Sequence, residues 1–236
     1  MPTAPHLGAK LMREKQLRGE ACETIGPSLW QAASPVRTVP ARRIIRCERD
    51  LDDAVPVVCR GWAASFVMLA DASRQILSFL LPGDMFSAAF LFESQSHCTV
   101  EAITEVDYRA FKRGEMKAML LKQPDLFENF YKAWAEEKSR ADQLIVDLGR
   151  RSAEERIARL ILNLAARLAP RGLGQTENVE IEFPLRQHHI ADATGLTPVH
   201  VSKVLSELRR GGLIELSGRT LTILDLERFR RLAYMR

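Results

Sequence analysis

Residues 187–205 read Gln187-His188-His189-Ile190-Ala191-Asp192-Ala193-Thr194-Gly195-Leu196-Thr197-Pro198-Val199-His200-Val201-Ser202-Lys203-Val204-Leu205. The chemistry this spacing offers is hydrogen bonding from one helix face to the edges and phosphates of a duplex. Two helices that cross closely need a small residue at the crossing, a Gly able to take positive φ in the turn, and apolar residues on the inner face of the second helix. Ala191, Gly195, Val201, Val204 and Leu205 fill those places. Thr197 is a good N-cap, and Pro198 at the first helical position loses nothing by lacking an N–H, so the second helix is predicted to start sharply at Thr197. Its outward face then carries Val199, His200, Ser202, Lys203, Ser206 and Arg210, with Arg209 beside them, a set suited to the major groove. Arg186 and Gln187, which open the first helix, join them as candidates.

After Gly211-Gly212, the run Leu213-Ile214-Glu215-Leu216, Ser217-Gly218, Arg219-Thr220-Leu221-Thr222-Ile223 reads as a hairpin with a two-residue turn, a wing whose Arg219 can reach backbone phosphate. A tri-helical core of this kind also serves some protein-interaction modules, and that reading stays open at this point. No nucleophile–base pairing, Gly-rich phosphate loop or metal-spaced His/Cys set occurs in the chain, so no catalytic residue and no metal ligand is assigned and an enzyme is not expected.

The elements that must position this face come earlier. Residues 1–40 lack periodicity, are punctuated by Pro27, Pro35 and Pro40, and read as a loose arm. From 41 to 124, short apolar runs alternate with turn residues: Val55 to Cys59, Ala63 to Leu69, Gln75 to Leu81, Thr99 to Ile103 and Val106 to Ala110, the spacing of a β sandwich or barrel. Phe66-Val67-Met68-Leu69 and Ile76 to Leu81 read as strands buried on both faces. The period then changes. Over 125–150, Leu126, Phe127, Phe130, Trp134, Ala141, Leu144, Ile145 and Leu148 fall three or four apart, a long amphipathic helix. Its stripe packs either on its own barrel or on a second copy of the chain; Phe127, Phe130, Trp134, Ala141, Ile145 and Leu148 are the candidates for the latter. Ser152-Ala153-Glu154-Glu155 is a capping box that starts a new helix, and residues 151–236 form the carboxyl-terminal domain.

Bulk properties agree with this division. The chain has 236 residues, 46% of them hydrophobic, enough for two modest cores. Residues 151–236 hold 14 Lys+Arg against 10 Asp+Glu, while residues 1–150 hold 20 of each, so the whole excess of +4 lies beside the candidate duplex-binding face. No apolar run is long enough to span a membrane and no secretory signal is evident, so a cytoplasmic protein without membrane contact is expected. Cys22, Cys47, Cys59 and Cys98 are widely spaced and are expected to be reduced thiols.

Three passages carry a resemblance to the Crp/Fnr family of bacterial transcription regulators over about residues 40–232: Phe79-Leu80-Leu81-Pro82-Gly83-Asp84, Ala153-Glu154-Glu155-Arg156-Ile157-Ala158-Arg159-Leu160, and Ile190 to Ile214. The resemblance implies an α+β chain with an N-terminal cyclic-nucleotide-binding-like β-roll, a long dimerisation helix and a C-terminal winged helix-turn-helix. It also implies a homodimer on a palindromic operator in double-stranded DNA, with RNA polymerase as a further partner. Val199 and Lys203 stand where members commonly place a Glu and an Arg, so the half-site sequence is expected to differ. Members that bind cyclic nucleotides hold the phosphate with a Gly-Glu and an Arg-Ser pair. Here those positions read Ser87-Ala88 and Ser96-His97, and no Arg lies between Arg74 and Arg109, so cyclic nucleotides are not expected. Iron–sulfur members need a close cysteine group near the N-terminus, where this chain has only Cys22. No cofactor is therefore expected. Ser87, Ala88, Ser96, His97 and Cys98 remain the candidate effector pocket, with His97 and Cys98 either a haem or redox site or a loop histidine and a half-buried thiol. A roll that senses another small molecule and a roll that binds nothing are both compatible with these residues.

Overall fold

The computed structural model describes residues 33–168 and 178–234. Residues 1–32 of the expected arm and residues 169–177 lie outside the described residues. The chain divides into two compact units: Met1–Met68 with Ile76–Ala141, and Leu69–Gln75 with Asp142–Arg236. The division falls inside the long helix.

The first unit is a β-roll. Strands β1 (Arg37–Val39), β7 (Val106–Lys112) and β3 (Ala54–Arg60) form one sheet in the order β1-β7-β3. Strands β2 (Ile44–Arg46), β6 (Thr99–Ala102), β4 (Ala63–Met68) and β5 (Arg74–Leu80) form the other in the order β2-β6-β4-β5. Residues 37–39, expected in the loose arm, pair antiparallel with β7, Thr38 opposite Asp107. Three residues with one apolar side chain on each flank carry no period, and only the partner strand gives them a partner for their backbone groups. The two apolar runs expected to be buried on both faces are not: Met68, Leu69 and Leu77 are exposed, because β4 runs out of the sheet at its end and β5 turns Leu77 outward while Ile76, Phe79 and Leu80 go in. The core joins Val55, Val57, Val58, Val100, Val106 and Phe111 from the two sheets with Phe86, Phe90 and Leu91 from the segment between β5 and β6.

Between β5 and β6 lies a short 3-10 helix (Ala88–Leu91). After β7 come α1 (Arg113–Lys122), which periodicity did not reveal, and α2 (Pro124–Arg150), the long helix. Met116 and Leu120 of α1 and Phe130 of α2 complete the roll's core.

The second unit contains α3 (Ala153–Leu168), β8 (Val179–Glu182), α4 (Gln187–Thr194), α5 (Pro198–Arg210), β9 (Ile214–Ser217), β10 (Thr220–Ile223) and α6 (Leu226–Ala233). The antiparallel sheet runs β8-β10-β9. Ile157, Ile161 and Leu164 of α3, Ile190 of α4, Val201 of α5, Ile214, Leu221, Ile223 and Phe229 are all buried and form its apolar interior. The capping box forms as expected: the Glu155 N–H donates to the Ser152 hydroxyl at 3.3 Å and the Ser152 N–H donates to the Glu155 carboxylate at 2.7 Å. Among the described residues, no helix is long and apolar enough to cross a membrane.

Candidate nucleic-acid interface

The α4–turn–α5 segment is fixed by local chemistry. Gly195 ends α4 with φ +64°, in the left-handed region, and a Cβ added there would also stand 3.2 Å from Leu148 Cδ2. Both the backbone sign and the close approach require glycine. The Thr197 hydroxyl accepts from the His200 N–H at 3.2 Å, with Pro198 in the first turn, so α5 begins where expected. Val201, Val204, Leu205 and Leu208 face inward.

What faces outward is the candidate set. Val199 is 80% exposed and open to an apolar contact from a partner. Thr197, His200, Lys203, Ser206, Arg209 and Arg210 are exposed and Ser202 is half-buried. The Ser206 hydroxyl donates to the Ser202 carbonyl at 2.8 Å, which leaves its oxygen able to accept. The face thus presents one apolar side chain, three hydroxyls, an imidazole and three cations along a 13-residue helix, with Thr197 and Val199 at its positive end and Arg209 and Arg210 in its last turn.

Glu154, in the first turn of α3, had no sequence signal as part of this surface. Its carboxyl is held below its ordinary value by its own N–H and the Ser152 hydroxyl, helped by the positive fields of His200 and Lys203. A carboxylate therefore shares the electrostatic surroundings of the two central donors. Arg186 and Gln187 are exposed at the start of α4, where the Arg186 N–H donates to His189 Nδ1 at 3.1 Å. The rings of His188 and His189 lie 4.0 Å apart rather than diverging, because His189 turns back to cap the helix.

The wing is a hairpin in which Thr220 pairs with Ser217, so its two loop residues are Gly218 and Arg219, one place later than the sequence suggests. Gly218 supplies the positive φ, +59°, that a tight hairpin loop demands. Arg219 sits at the tip and reaches Glu182 of β8 at 3.3 Å, both ends exposed.

Beneath the interface, the Ala153–Leu160 passage acts through its arginines. Arg156 donates to the carbonyls of Arg151 (2.9 Å) and Thr194 (3.1 Å), tying α3 to the end of α4. Asp147 accepts from Arg151 (3.0 Å) and Arg159 (2.6 Å). From the 69–75 turn, Arg74 donates to Asp192 of α4 through Nε and Nη2, at 3.0 and 2.8 Å.

Along α2, the stripe assigned to a second copy divides. Phe127, Trp134, Ala141 and Ile145 are exposed, and Tyr131 and Val146, not singled out from the sequence, are exposed with them. Phe130 does not belong to that stripe: it is 9% exposed and packs in its own roll, edge-on to Phe92. Leu148 is half-buried against the Gly195 turn.

The candidate effector residues are scattered rather than convergent. Ser87 caps the 3-10 helix, accepting from the Ala89 N–H at 3.2 Å; its hydroxyl donates to Glu137 of α2, as does the Ala88 N–H, each at 3.0 Å. Ser96 is buried and its hydroxyl donates to the Cys98 carbonyl at 2.6 Å. His97 points to solvent and pairs with Glu93, four residues before it. Burial pushes the Cys98 thiol up, with the negative fields of Glu137 and Glu48 adding to it against the Ser96 contact and Arg46. Cys47 and Cys98 are free, whereas Cys59 is disulfide-bonded, contrary to the expectation of four reduced thiols. Arg46 of β2 was missed. Its side chain is 5% exposed, lies over the Phe90 ring at 4.6 Å, pairs with Asp52, and keeps Nη1 buried without a hydrogen-bond partner among the described residues. Among the described residues, no three or more His, Cys, Asp and Glu side chains converge as a metal site.

Comparison with known proteins places these features. Residues 36–123 match the cyclic nucleotide-binding domain family and residues 155–232 the Crp-like helix-turn-helix domain family. The chain is 33% identical over 213 residues to the nitrogen fixation regulation protein FixK of Rhizobium meliloti, covering 89% of this chain and 92% of that protein. It is 31% identical to the transcriptional activatory protein AadR of Rhodopseudomonas palustris, covering 98% and 97%. Among solved structures, FixK2 from Bradyrhizobium japonicum superposes with a TM-score of 0.75 at 27% identity, over 86% of this chain and 98% of that one. With a roll, a long helix and a winged helix-turn-helix in this order, and relatives of this identity along nearly its full length, the chain belongs to the Crp/Fnr family and is a DNA-binding transcription regulator, not an enzyme.

Proposed function

We propose that the chain acts as a homodimer on a palindromic operator, each α5 reading one major-groove half-site, and that its roll works without a cyclic nucleotide or other cofactor. The exposed outer face of α5 carries this reading. A helix that shows a β-branched apolar residue at its first turn and cations at its last has the composition of a groove reader: Val199 to a thymine methyl, Lys203 to guanine O6 or N7, and Arg209, Arg210 and Arg219 to phosphate. The apolar stripe Phe127, Tyr131, Trp134 and Ile145 supports the homodimer, since so many large apolar groups on one helix face favour a second copy. Two-fold symmetry in the protein then implies two-fold symmetry in the site.

Against cyclic nucleotides stands the carboxylate of Glu137 on the donors of Ser87 and Ala88. The buried, high-pKa thiol of Cys98 disfavours a thiol switch at that position, because the thiolate is the reactive form. The relatives' names support activation of transcription, hence contact with RNA polymerase, in the cytoplasm.

Selection of binding sites from a randomised duplex pool tests this. A palindrome with half-sites about 10–10.5 base pairs apart, centre to centre, is expected. Enrichment of a single half-site, or of none, rejects the symmetric dimer.

A further inference from the structure

Glu137 joins two parts of the roll unit that are fifty positions apart in sequence. One carboxylate oxygen accepts from the Ser87 hydroxyl and the other from the Ala88 N–H, both at 3.0 Å. Hydrogen bonds to an ionised acceptor are about twice as strong as neutral ones, and here two converge on one group. The Ser87 hydroxyl is at the same time fixed by the Ala89 N–H, so it is oriented toward the carboxylate before Glu137 arrives.

The position of Glu137 on α2 matters as much as its bonds. It lies seven residues, two helical turns, beyond Phe130, which is in the roll's core, and in line with Leu126, which packs against that core. The same edge of the helix therefore meets its own roll through two apolar side chains and then through one charged one. The exposed side chains Phe127, Trp134, Ala141 and Ile145 lie on the neighbouring face. Apolar contacts are non-directional; two hydrogen bonds to one carboxylate require a defined distance and angle.

We propose that Glu137 is a built-in anion that locks α2 onto the roll at the rotation presenting Phe127 and Trp134 outward, so that the chain is set for pairing without an anionic effector. This rests on the reading that the roll takes no cyclic nucleotide. It goes further by assigning the reason: the two donors a phosphate would use are already occupied by a carboxylate of the same chain, and a second anion there would meet like charge.

The test is amide hydrogen exchange on the full chain, following the segments 86–92 and 134–140, for the protein, Glu137→Gln, Glu137→Ala, Ser87→Ala and the Ser87→Ala/Glu137→Ala double variant, each with and without cyclic AMP. Loss of a charged acceptor predicts about tenfold faster exchange over 86–92 in Glu137→Ala, a smaller change in Glu137→Gln, and a double-variant effect smaller than the sum of the two single ones, the remainder of the Ser87→Ala effect being loss of the Ala89 cap. The dimer dissociation constant, from sedimentation, should rise in parallel. Unchanged exchange in Glu137→Ala, or effects of the two single variants that simply add, overturns the lock. Protection of the unsubstituted protein by cyclic AMP overturns instead the reading of the roll on which it rests, whatever the variants do.

Discussion

On α5, Val199 stands in solvent and Lys203, Arg209 and Arg210 reach outward, whereas in the roll Glu137 turns onto Ser87 and Ala88, and Arg46 onto Phe90 and Asp52. The first arrangement leaves its side chains in solvent, with Arg210 paired to Glu207 only at 4.0 Å, as suits a surface completed by DNA. The second has its charges met by its own chain, with Arg46 Nη1 the one buried side-chain polar atom left over among the described residues. A surface that is to bind a partner and an interior that is to hold a shape call for opposite treatment of the same residue types, because a buried polar group costs free energy unless it is paired.

The largest expected effect lies on the outward face of α2. Trp134→Asp should convert the dimer to monomer in sedimentation, since a charge would be placed in the middle of the apolar stripe; an unchanged mass would make that stripe an ordinary solvent face and remove the contrast with Phe130. Next is Gly195→Val. A β-branched residue held at φ +64° against Leu148 should lower unfolding stability by about 1–3 kcal/mol, read in urea; a loss of a few tenths would show that the turn relaxes. Lys203→Ala should weaken the preferred duplex by about 1–3 kcal/mol and flatten the difference between that site and random DNA. Equal losses on both would reduce Lys203 to a phosphate contact, like those proposed for Arg209 and Arg210. Smallest is Thr197→Ala, which removes the N-cap and should cost about 1 kcal/mol of stability. An equal cost from Ser206→Ala would show that the cap has no special weight.

The recognition unit was largely legible from its residues because its signals are short-range. Thr197 caps the N–H three positions on, Gly195 turns its own backbone, and the Ser152–Glu155 box closes on itself. The wing was displaced by a single residue, since Ser217-Gly218 and Gly218-Arg219 are both acceptable loops and only the pairing with β10 chooses between them. In the roll, no Arg lies between Arg74 and Arg109, and the buried cation is Arg46, well before that stretch. Nothing local marks Arg46, whose role comes from lying over Phe90, forty-four positions later. Strand β1, likewise, owes its existence to β7.

Periodicity showed that α2 is amphipathic but could not divide its apolar residues between two neighbours. Phe127 and Phe130 differ by less than one turn, yet the first is exposed and the second is part of the core. By itself, then, the sequence determined the helix ends, the left-handed turn, the inner and outer faces of α5 and the location of the basic excess, all consequences of residues within about a turn of one another. Only the tertiary structure decided which flank of α2 meets the roll, that Glu137 holds Ser87 and Ala88, and that Arg46 is buried, because these depend on which distant segments share a dehydrated interior, where unpaired charge is most costly.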